Sequence, residues 1–389
     1  MTDTQAASIA LYVHFPWCVA KCPYCDFNSH PLRGELEASG YTAALLTDLQ
    51  ATLAAFDEQR PNQTLRPAPI GSVFFGGGTP SLFPADSFAR LLEVLAPRLL
   101  PDAEVTMEAN PGTTEHHDFR SYRQAGINRL SLGAQSFDDL ALKRLGRIHG
   151  ARDTRRAFDR AVAGGFERIN LDLMYGLPEQ SVAGARSDLN EALALEPEHL
   201  SWYQLTLEPR TEFHRKPPPL PGEATLAGME AAGLEQLAGR GYERYEVSAY
   251  ARSGGRSQHN LTYWTFGDYL GVGAGAHGKW LDRTGTTVRT HKARSPRLYL
   301  REPTALALSP VAVDALPAEF AMNVLRLTHG VPADQWQQRT GRSALELAQP
   351  WERLAELGLM HRDRFATTVR GYELLDSVVA EFLSDDSRS

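Results

Sequence analysis

Short apolar runs alternate with longer amphipathic segments along the first half of the chain, from Ile9 to Leu207. The short runs predict strands, and the longer segments, with apolar residues at every third or fourth position, predict helices. The predicted strands cover residues 10–15, 72–75, 104–108, 129–133, 168–174 and 200–207. The predicted helices between them cover residues 41–56, 86–95, 117–125, 154–163 and 183–195.

Strands that alternate with helices in this way predict an α/β fold with a parallel sheet. Six such units are too few to close the eight-stranded barrel of a complete TIM fold, so we predict a partial (β/α)6 TIM barrel. In such barrels the chemistry lies at the carboxyl ends of the strands, on the loops that lead into the helices.

The rhythm changes after Glu208, where a proline-rich break at 217–221 precedes a predicted helix at 223–238 and a predicted strand at 245–250. Beyond Leu306 the pattern predicts helices at 317–327, 333–339 and 343–357, a hairpin of 360–364 and 366–369, and a last helix at 373–382. Helices followed by a small β-wing indicate a small C-terminal helical, winged-helix-like domain. We therefore divide the chain into a barrel (1–215), a capping segment (216–304) and a C-terminal domain (305–389).

The composition is that of a globular protein, with 42% hydrophobic and 22% charged residues. A net charge of -7 without a basic stripe gives no reason to expect a nucleic-acid partner. No apolar stretch of about 18 residues occurs, and the first ten residues carry no basic segment, so we expect a cytoplasmic protein without a membrane span.

The three cysteines of the chain, Cys18, Cys22 and Cys25, lie within eight positions and read as one ligand set. Their odd number and the size of the chain argue against disulfides, and a redox C-x2-C pair would leave Cys18 unexplained. Zinc, with His14 or His30 as a fourth ligand, stays an alternative. The best chemical match is a 4Fe-4S cluster held by three thiolates, with one iron open to a ligand from solution.

Glycine and polar residues follow the other predicted strands. A glycine run at 76–78 and Thr79 follow the second strand, and Glu108, Gln135 and Asp172 lie at the ends of the next three. Each feature has a plain alternative, a tight turn for the glycines and capping or ion pairing for the carboxylates. The run is not a phosphate-binding P-loop, because no Lys-Ser or Lys-Thr follows it. Their joint placement at one edge indicates a ligand site.

The C-x3-C-x2-C spacing, with Tyr24 before the last cysteine, resembles the radical S-adenosylmethionine (SAM) enzymes, in which the open iron binds SAM. The order and spacing of the motifs over residues 10–300 resemble the family of anaerobic coproporphyrinogen III oxidases and their relatives. The resemblance implies a radical SAM barrel with Cys18, Cys22 and Cys25 as cluster ligands. It implies SAM contacts from Tyr12, Tyr24, Gly77, Gly78, Thr79, Glu108, Gln135, Arg147 and Asp172.

Two groups within this family must be distinguished. The oxidases carry a further cysteine just after the triplet and a longer N-terminal extension, whereas Asp26 and Phe27 stand at that place here. The heme chaperones of the family share the segment CDFNSH and an HNxxYW signature, which this chain has at 25–30 and 259–264. The resemblance therefore implies a heme carrier that delivers heme to apo-hemoproteins such as respiratory enzymes, with membrane-associated acceptors and a homodimer compatible with it. Oxygen-independent coproporphyrinogen III oxidase activity is the alternative.

The HNxxYW segment supplies a candidate heme ligand in His259. A neutral imidazole is a usual axial ligand of heme iron, and Tyr263 and Trp264 offer flat apolar surface. Alternatively, His259 and Asn260 hold a loop by hydrogen bonds, which is the commoner role of a lone histidine, but the resemblance favours heme. His277 ranks second by the same reasoning.

Glycines at 273, 275 and 278 match G-x-G-x-x-G. No clear strand precedes them and no convincing helix follows, so we reject a dinucleotide site. We expect these glycines to let the chain pass closely over the mouth of the barrel.

Overall fold

The computed structural model of the protein describes residues 8–60, 67–113 and 118–383. The barrel elements are β1 (Ile9–Phe15), β2 (Trp17–Cys18), β3 (His30–Pro31), α1 (Ala38–Gln59), β4 (Ile70–Gly77), α2 (Ala85–Leu95), β5 (Leu99–Ala109), α3 (Phe119–Gln124), β6 (Arg129–Gln135), α4 (Asp139–Arg144), α5 (Ala151–Ala163), β7 (Arg168–Tyr175), α6 (Val182–Ala194) and β8 (His199–Gln204). The elements that follow are α7 (Glu212–Arg215), α8 (Glu223–Gly239), β9 (Glu243–Glu246), β10 (Ala249–Ala251), α9 (Gln258–Trp264), β11 (Tyr269–Val272), β12 (His277–Leu281), β13 (Thr287–His291), α10 (Pro296–Arg301) and β14 (Ala307–Pro310). The C-terminal elements are α11 (Leu316–Val324), β15 (Val331–Pro332), α12 (Gln335–Thr340), α13 (Leu345–Glu356), β16 (Arg364–Phe365), α14 (Val369–Glu373) and α15 (Leu375–Ala380).

One large sheet organises the described residues, in the order β14-β13-β12-β11-β1-β4-β5-β6-β7-β8-β10-β9. The run from β11 to β8 is parallel, and antiparallel strands extend it at both edges. The main hydrophobic core lies between this sheet and helices such as α1, α2 and α6. The predicted partial (β/α)6 barrel is thereby confirmed.

The predicted elements of the barrel agree closely with the observed ones. The predicted strand 200–207 is too long, because β8 ends at Gln204. Leu205 beyond it is still buried, and its apolar side chain extended the predicted strand. The predicted helix 117–125 corresponds to α3, and His117 lies outside the described residues. No helix within the described ranges is both long and apolar enough to cross a membrane.

The expectation that no strand precedes Gly273 is wrong. β11 ends at Val272 and pairs in parallel with β1, and its Leu270 and Val272 are fully buried. Four residues that include a glycine are too short for the pattern to reveal a strand. The chain then continues into β12 without a helix, so the argument against a dinucleotide site rests on the missing helix alone.

The single strand predicted at 245–250 is also wrong, because the chain folds back there as the antiparallel pair β9 and β10. Side chains stabilise the turn between them. Arg244 donates to the carbonyl oxygen of Val247, and the Ser248 N–H donates to the carboxylate of Glu246. The apolar pattern crosses this turn without interruption, so the sequence did not reveal it.

The C-terminal part forms a second hydrophobic core around Phe320, Trp336 and Phe365. Its order of helices and short strands, α11-β15-α12-α13-β16, is winged-helix-like, with β15 antiparallel to β16. The predicted hairpin is reduced to a bridge between Met360 and Thr367, and the predicted last helix is broken at Leu374 into α14 and α15. β14 pairs with β13, so residues just after position 305 still belong to the main sheet.

A buried carboxylate on α1 ties the segment after β11 to the barrel. Asp48 is fully buried and accepts hydrogen bonds from the Gly273 N–H at 2.9 Å and from the Tyr299 hydroxyl at 2.8 Å. Lys292 Nζ lies 2.5 Å from the same carboxylate and is itself 1% exposed. One charged centre, Asp48, therefore joins three parts of the chain: the end of β11, the segment after β13, and α10.

Replacing Lys292 with Met should lower the free energy of unfolding by about 3–5 kcal/mol, because Asp48 would remain as a buried charge without its cation. Urea unfolding of the full-length, cluster-free chain measures this change. The control is Arg342→Met, which breaks the partly exposed pair with Glu346 and should cost about 1 kcal/mol or less. Equal effects of the two substitutions would contradict the role assigned to Asp48.

Candidate functional site

The loops that follow the parallel strands converge at one edge of the sheet. The cysteine loop (residues 18–29) follows β1, and the glycine loop (residues 76–79) follows β4. Glu108 and Gln135 lie at the carboxyl ends of β5 and β6, and Asp172 lies within β7. The structure thus brings the residues predicted for the cluster and for SAM to one mouth.

The cysteine loop is closed at its base by backbone hydrogen bonds. The His30 N–H donates to the Pro16 carbonyl at 2.7 Å, and the Leu32 N–H donates to the Cys18 carbonyl at 2.8 Å. Inside the loop, Lys21 Nζ donates to the carbonyl oxygens of Phe27 and Ser29, each at 3.1 Å. The loop is therefore an ordered unit.

Cys22 lies against a guanidinium. Arg147 Nη1 is 3.5 Å from Cys22 Sγ, and Nη2 donates to the Gly133 carbonyl at 3.0 Å. The Tyr24 hydroxyl is also hydrogen-bonded to Cys22, and burial raises the pKa of Tyr24, so the phenol stays protonated. The Cys22 sulfur therefore has a cation and one hydroxyl donor beside it.

The other two thiols have hydroxyl neighbours. Burial raises the pKa of Cys18 and of Cys25, while hydrogen bonds from Thr79 and Ser29 respectively act in the opposite direction. Cys25 Sγ lies 3.7 Å from Ser29 Oγ. Each thiol thus has a donor that can support it as a ligand.

The donor set suits an iron-sulfur cluster. All three cysteines are free and partly buried, and thiolates are the usual ligands of such clusters. Across residues 8–60, 67–113 and 118–383, no three His, Cys, Asp or Glu side chains are arranged as a metal site. For the zinc alternative, His14 is engaged at both ring nitrogens, whereas His30 Nε2 has no hydrogen-bond partner among the described residues.

The glycine loop is joined to the start of the cysteine loop. The Gly78 N–H donates to the Phe15 carbonyl at 2.6 Å, and the Thr79 N–H donates to the Trp17 carbonyl at 2.7 Å. Gly77 has a φ of +117°, and a Cβ there would lie 2.4 Å from His14 Cε1. Close packing therefore accounts for the glycine at 77 even before a ligand is considered.

Two carboxylates lie at the floor of the mouth. Glu108 Oε2 accepts from the Gly77 N–H at 2.9 Å, and Asp172 accepts from Ser131 Oγ at 2.9 Å and from Asn170 Nδ2 at 2.8 Å. Burial, and then the charge of Asp172, raises the pKa of Glu108 to about 8. An ammonium group placed beside Glu108 would lower that pKa again, so the pair suits a cationic ligand.

Gln135 is held in a strained backbone conformation with a φ of +66°. Its side-chain oxygen accepts a hydrogen bond from the Tyr203 hydroxyl at 3.0 Å. Strain of this kind persists only where the surroundings fix it, which is common at ligand sites.

Tyr12 reaches the cysteine loop through a histidine. The Tyr12 hydroxyl lies 2.9 Å from His14 Nδ1, and His14 Nε2 lies 2.9 Å from the Asn28 carbonyl. Burial lowers the pKa of His14 to about 4, so the ring is neutral at pH 7. In that state Nε2–H donates to Asn28 and Nδ1 accepts from Tyr12.

Several polar side chains of this site escaped prediction. Asn28, Ser131, Asn170 and Tyr203 support the loop or the carboxylates described above. Ser131, Asn170 and Tyr203 lie on strands, at positions that face the barrel interior. Polar residues recurring with period two on otherwise apolar strands were the available signal.

His259 lies on a helix, α9, and not on the loop that was expected. It is 1% exposed, and its ring stacks on Phe74 at 5.0 Å between centroids. Nδ1 lies 3.1 Å from Ser72 Oγ, and Nε2 lies 2.9 Å from the Tyr263 hydroxyl. Burial lowers the pKa of His259 to about 3. Coordination of iron would have to displace one of these partners, and the assignment of His259 to heme stays a prediction.

Comparison with known proteins agrees with this geometry. The family model described as the radical SAM superfamily matches residues 12–190, and the model described as the HemN C-terminal domain matches residues 312–374. The heme chaperone HemW of Haemophilus influenzae is 42% identical over 97% of this chain and 98% of its own length. The heme chaperone HemW of Escherichia coli is 43% identical, with the same coverage of 97% and 98%.

Among solved structures, coproporphyrinogen III oxidase (HemN) from Escherichia coli superposes with a TM-score of 0.76. The two chains are 21% identical, and the match covers 97% of this chain and 92% of that one. At this identity the likeness establishes the fold alone.

The raised pKa of Glu108 predicts a pH-dependent stability. Between the ordinary pKa of 4.5 and about 8, the folded state holds a proton that the unfolded state has lost. The contribution of Glu108 to the free energy of unfolding therefore falls as the pH rises through this window, by at most about 1.4 kcal/mol per pH unit. The Glu108→Gln variant should lack this part of the slope in urea unfolding of the cluster-free chain between pH 5.5 and 8.

The matched control is Glu235→Gln, which alters an exposed carboxylate on α8 and should leave the slope as in the wild type. A Glu108→Gln slope that equals the wild-type slope would show that Glu108 titrates normally.

Proposed function

Because the chain belongs to the HemW family of heme chaperones within the radical SAM superfamily, we propose that it binds heme and delivers it to apo-hemoproteins such as respiratory enzymes. Membership in the superfamily implies a 4Fe-4S cluster and SAM. The same proposal includes a cytoplasmic location, a homodimer and acceptors that are associated with a membrane.

The observation that carries the proposal is a cavity with aromatic walls beside the cysteine loop. It has a volume of about 540 Å³ and opens to solvent between that loop and the turn from β11 to β12. The rings of Phe27, Tyr263 and Tyr269 line it. Flat aromatic rings next to polar side chains suit a porphyrin, whose faces are apolar and whose edge is polar.

The cluster is proposed to be held by Cys18, Cys22 and Cys25. When bound, a cluster of this type can reduce SAM by one electron. The contribution of the chain is to hold the sulfurs in place and to supply a hydrogen-bond donor or a cation beside them. Arg147 provides a positive charge beside Cys22, and Tyr24 provides a hydroxyl donor.

SAM is proposed to lie across the glycine loop, towards the carboxylates. The amino group of SAM is a cation, and Glu108 with Asp172 supplies the complementary charge. Gly77 and Gly78 admit the ligand close to the backbone, and Gln135 is held in position by Tyr203. Thr79 and Tyr12 complete the proposed contacts.

Phe27 favours the carrier over an oxidase. It lies two positions after Cys25, where the oxidases have a further cysteine, and it is 58% exposed at the cavity. An exposed aromatic ring offers a surface to a porphyrin but provides neither a thiol nor an acid-base group. We therefore propose binding without oxidative decarboxylation.

Substituting a proposed cluster ligand should abolish the cluster. Cys22→Ser, purified and reconstituted without oxygen, should lose the broad absorbance near 400 nm and the bound iron, because a hydroxyl is a poor ligand for such clusters. The control is Val19→Ser, which places the same side chain on the same loop and should keep both. A Cys22→Ser protein with full iron and absorbance would contradict the ligand assignment.

The function is tested by anaerobic titration of the cluster-loaded wild-type chain with heme, followed at the Soret band. We expect saturable binding near one heme per chain. In parallel, coproporphyrinogen III with SAM and a reductant should yield no protoporphyrinogen. Absence of heme binding, together with decarboxylated product, would contradict the chaperone proposal and support coproporphyrinogen III oxidase activity instead.

A further inference from the structure

The aromatic cavity contains a histidine whose ring nitrogens are available. His277 begins β12, is exposed and lines the cavity. Among the described residues its ring has no hydrogen-bond partner, and its ring contact is with His291, 6.0 Å away between centroids. By contrast, His14, which also lines the cavity, and His259 are each hydrogen-bonded at both ring nitrogens.

The backbone just before His277 packs closely against the cysteine loop. Gly275 has a φ of +80° and passes so close to the cysteine loop that a Cβ would lie 2.3 Å from Asn28 Nδ2. Tyr263 and Tyr269 also line the cavity and stand edge to face, with ring centroids 4.5 Å apart. His277 and these aromatic rings therefore share one cavity that is open to solvent.

The side chain of an arginine that lines the same cavity also has no hydrogen-bond or ion-pair partner among the described residues. The Arg294 guanidinium lines the cavity and makes no hydrogen bond or ion pair within the described part of the chain. Its backbone is fixed, because the Arg294 carbonyl accepts from Asn28 Nδ2 at 2.9 Å. A guanidinium at a cavity suits a carboxylate, the group that heme carries on its propionates.

We propose that His277 is the axial ligand of heme bound in this cavity, with Arg294 paired to a heme propionate. The inference rests on the proposed function and adds to it the site and the residues. It requires no buried hydrogen bond to break, whereas coordination by His259 would displace Ser72 or Tyr263.

The protonation state of His277 agrees with this role. Burial, followed by the neighbouring His291, Arg289 and Arg294, lowers its pKa from the ordinary 6.5. The ring is therefore neutral at pH 7, and a neutral imidazole is the form that binds iron.

The test is an anaerobic heme titration of the cluster-loaded full-length chain, comparing the wild type with His277→Ala. Loss of the ligand should shift the Soret maximum and raise the heme dissociation constant about tenfold or more. Added imidazole should restore the wild-type Soret position, because it can replace the missing ring in the cavity. Rescue of this kind would not occur if the substitution merely disturbed the fold.

The matched control is His291→Ala. His291 pairs with His277 across β12 and β13 and is equally exposed, but it does not line the cavity. The His291→Ala variant should therefore bind heme with the wild-type Soret spectrum. For the propionate contact, Arg294→Ala should weaken binding of heme but leave binding of heme dimethyl ester unchanged.

The outcomes separate the two proposals. If the wild type binds heme and His277→Ala keeps the same Soret maximum and affinity, while His259→Ala loses them, the ligand is His259 and the inference about His277 is overturned. If the wild type binds no heme at all, the proposed function itself fails.

Discussion

The mouth of the barrel depends on close packing around His14, at the carboxyl end of the central strand. β1 pairs in parallel with β4 on one side and with β11 on the other, and each neighbour brings a glycine against His14. A Cβ at Gly77 would lie 2.4 Å from the His14 ring, and one at Gly273 would lie 2.5 Å from its carbonyl oxygen. Because any larger residue would push these strand ends apart, the two glycines allow both loops to meet at β1.

The same packing places the cysteine loop between two sites. His14 holds its far end through Asn28, and the glycine loop holds its near end through Trp17. Cys22 then faces Arg147, whereas Phe27 lines the aromatic cavity. Gly77, Glu108 and Tyr12, proposed SAM contacts, also line that cavity, so the proposed SAM and heme sites share a wall. If both ligands bind as proposed, a change in charge or occupancy at one site acts directly on the other.

The sequence predicted what depends on local pattern and missed what depends on distant contacts. The parallel strands and the cysteine loop followed from periodicity and spacing, and the winged-helix-like end followed from its order of elements. β11 was missed because its four residues gain their stability from β1 and α1 rather than from their own pattern. The partner of His259, Ser72, lies 187 positions away in sequence, and that of Lys292, Asp48, is more remote still. The candidate residues could thus be named, but whether a histidine ring is free or engaged could be read only from the fold.

We propose that this chain carries heme and gives it to another protein. Stopped-flow transfer from the heme-loaded chain to an excess of an apo-hemoprotein, followed by the Soret change of the acceptor, tests it most directly. A carrier that hands heme over in a complex predicts a transfer rate that rises with the acceptor concentration before it saturates. A rate that is independent of acceptor concentration and equal to the spontaneous dissociation rate of heme would contradict the account, because the chain would then release heme only to solvent.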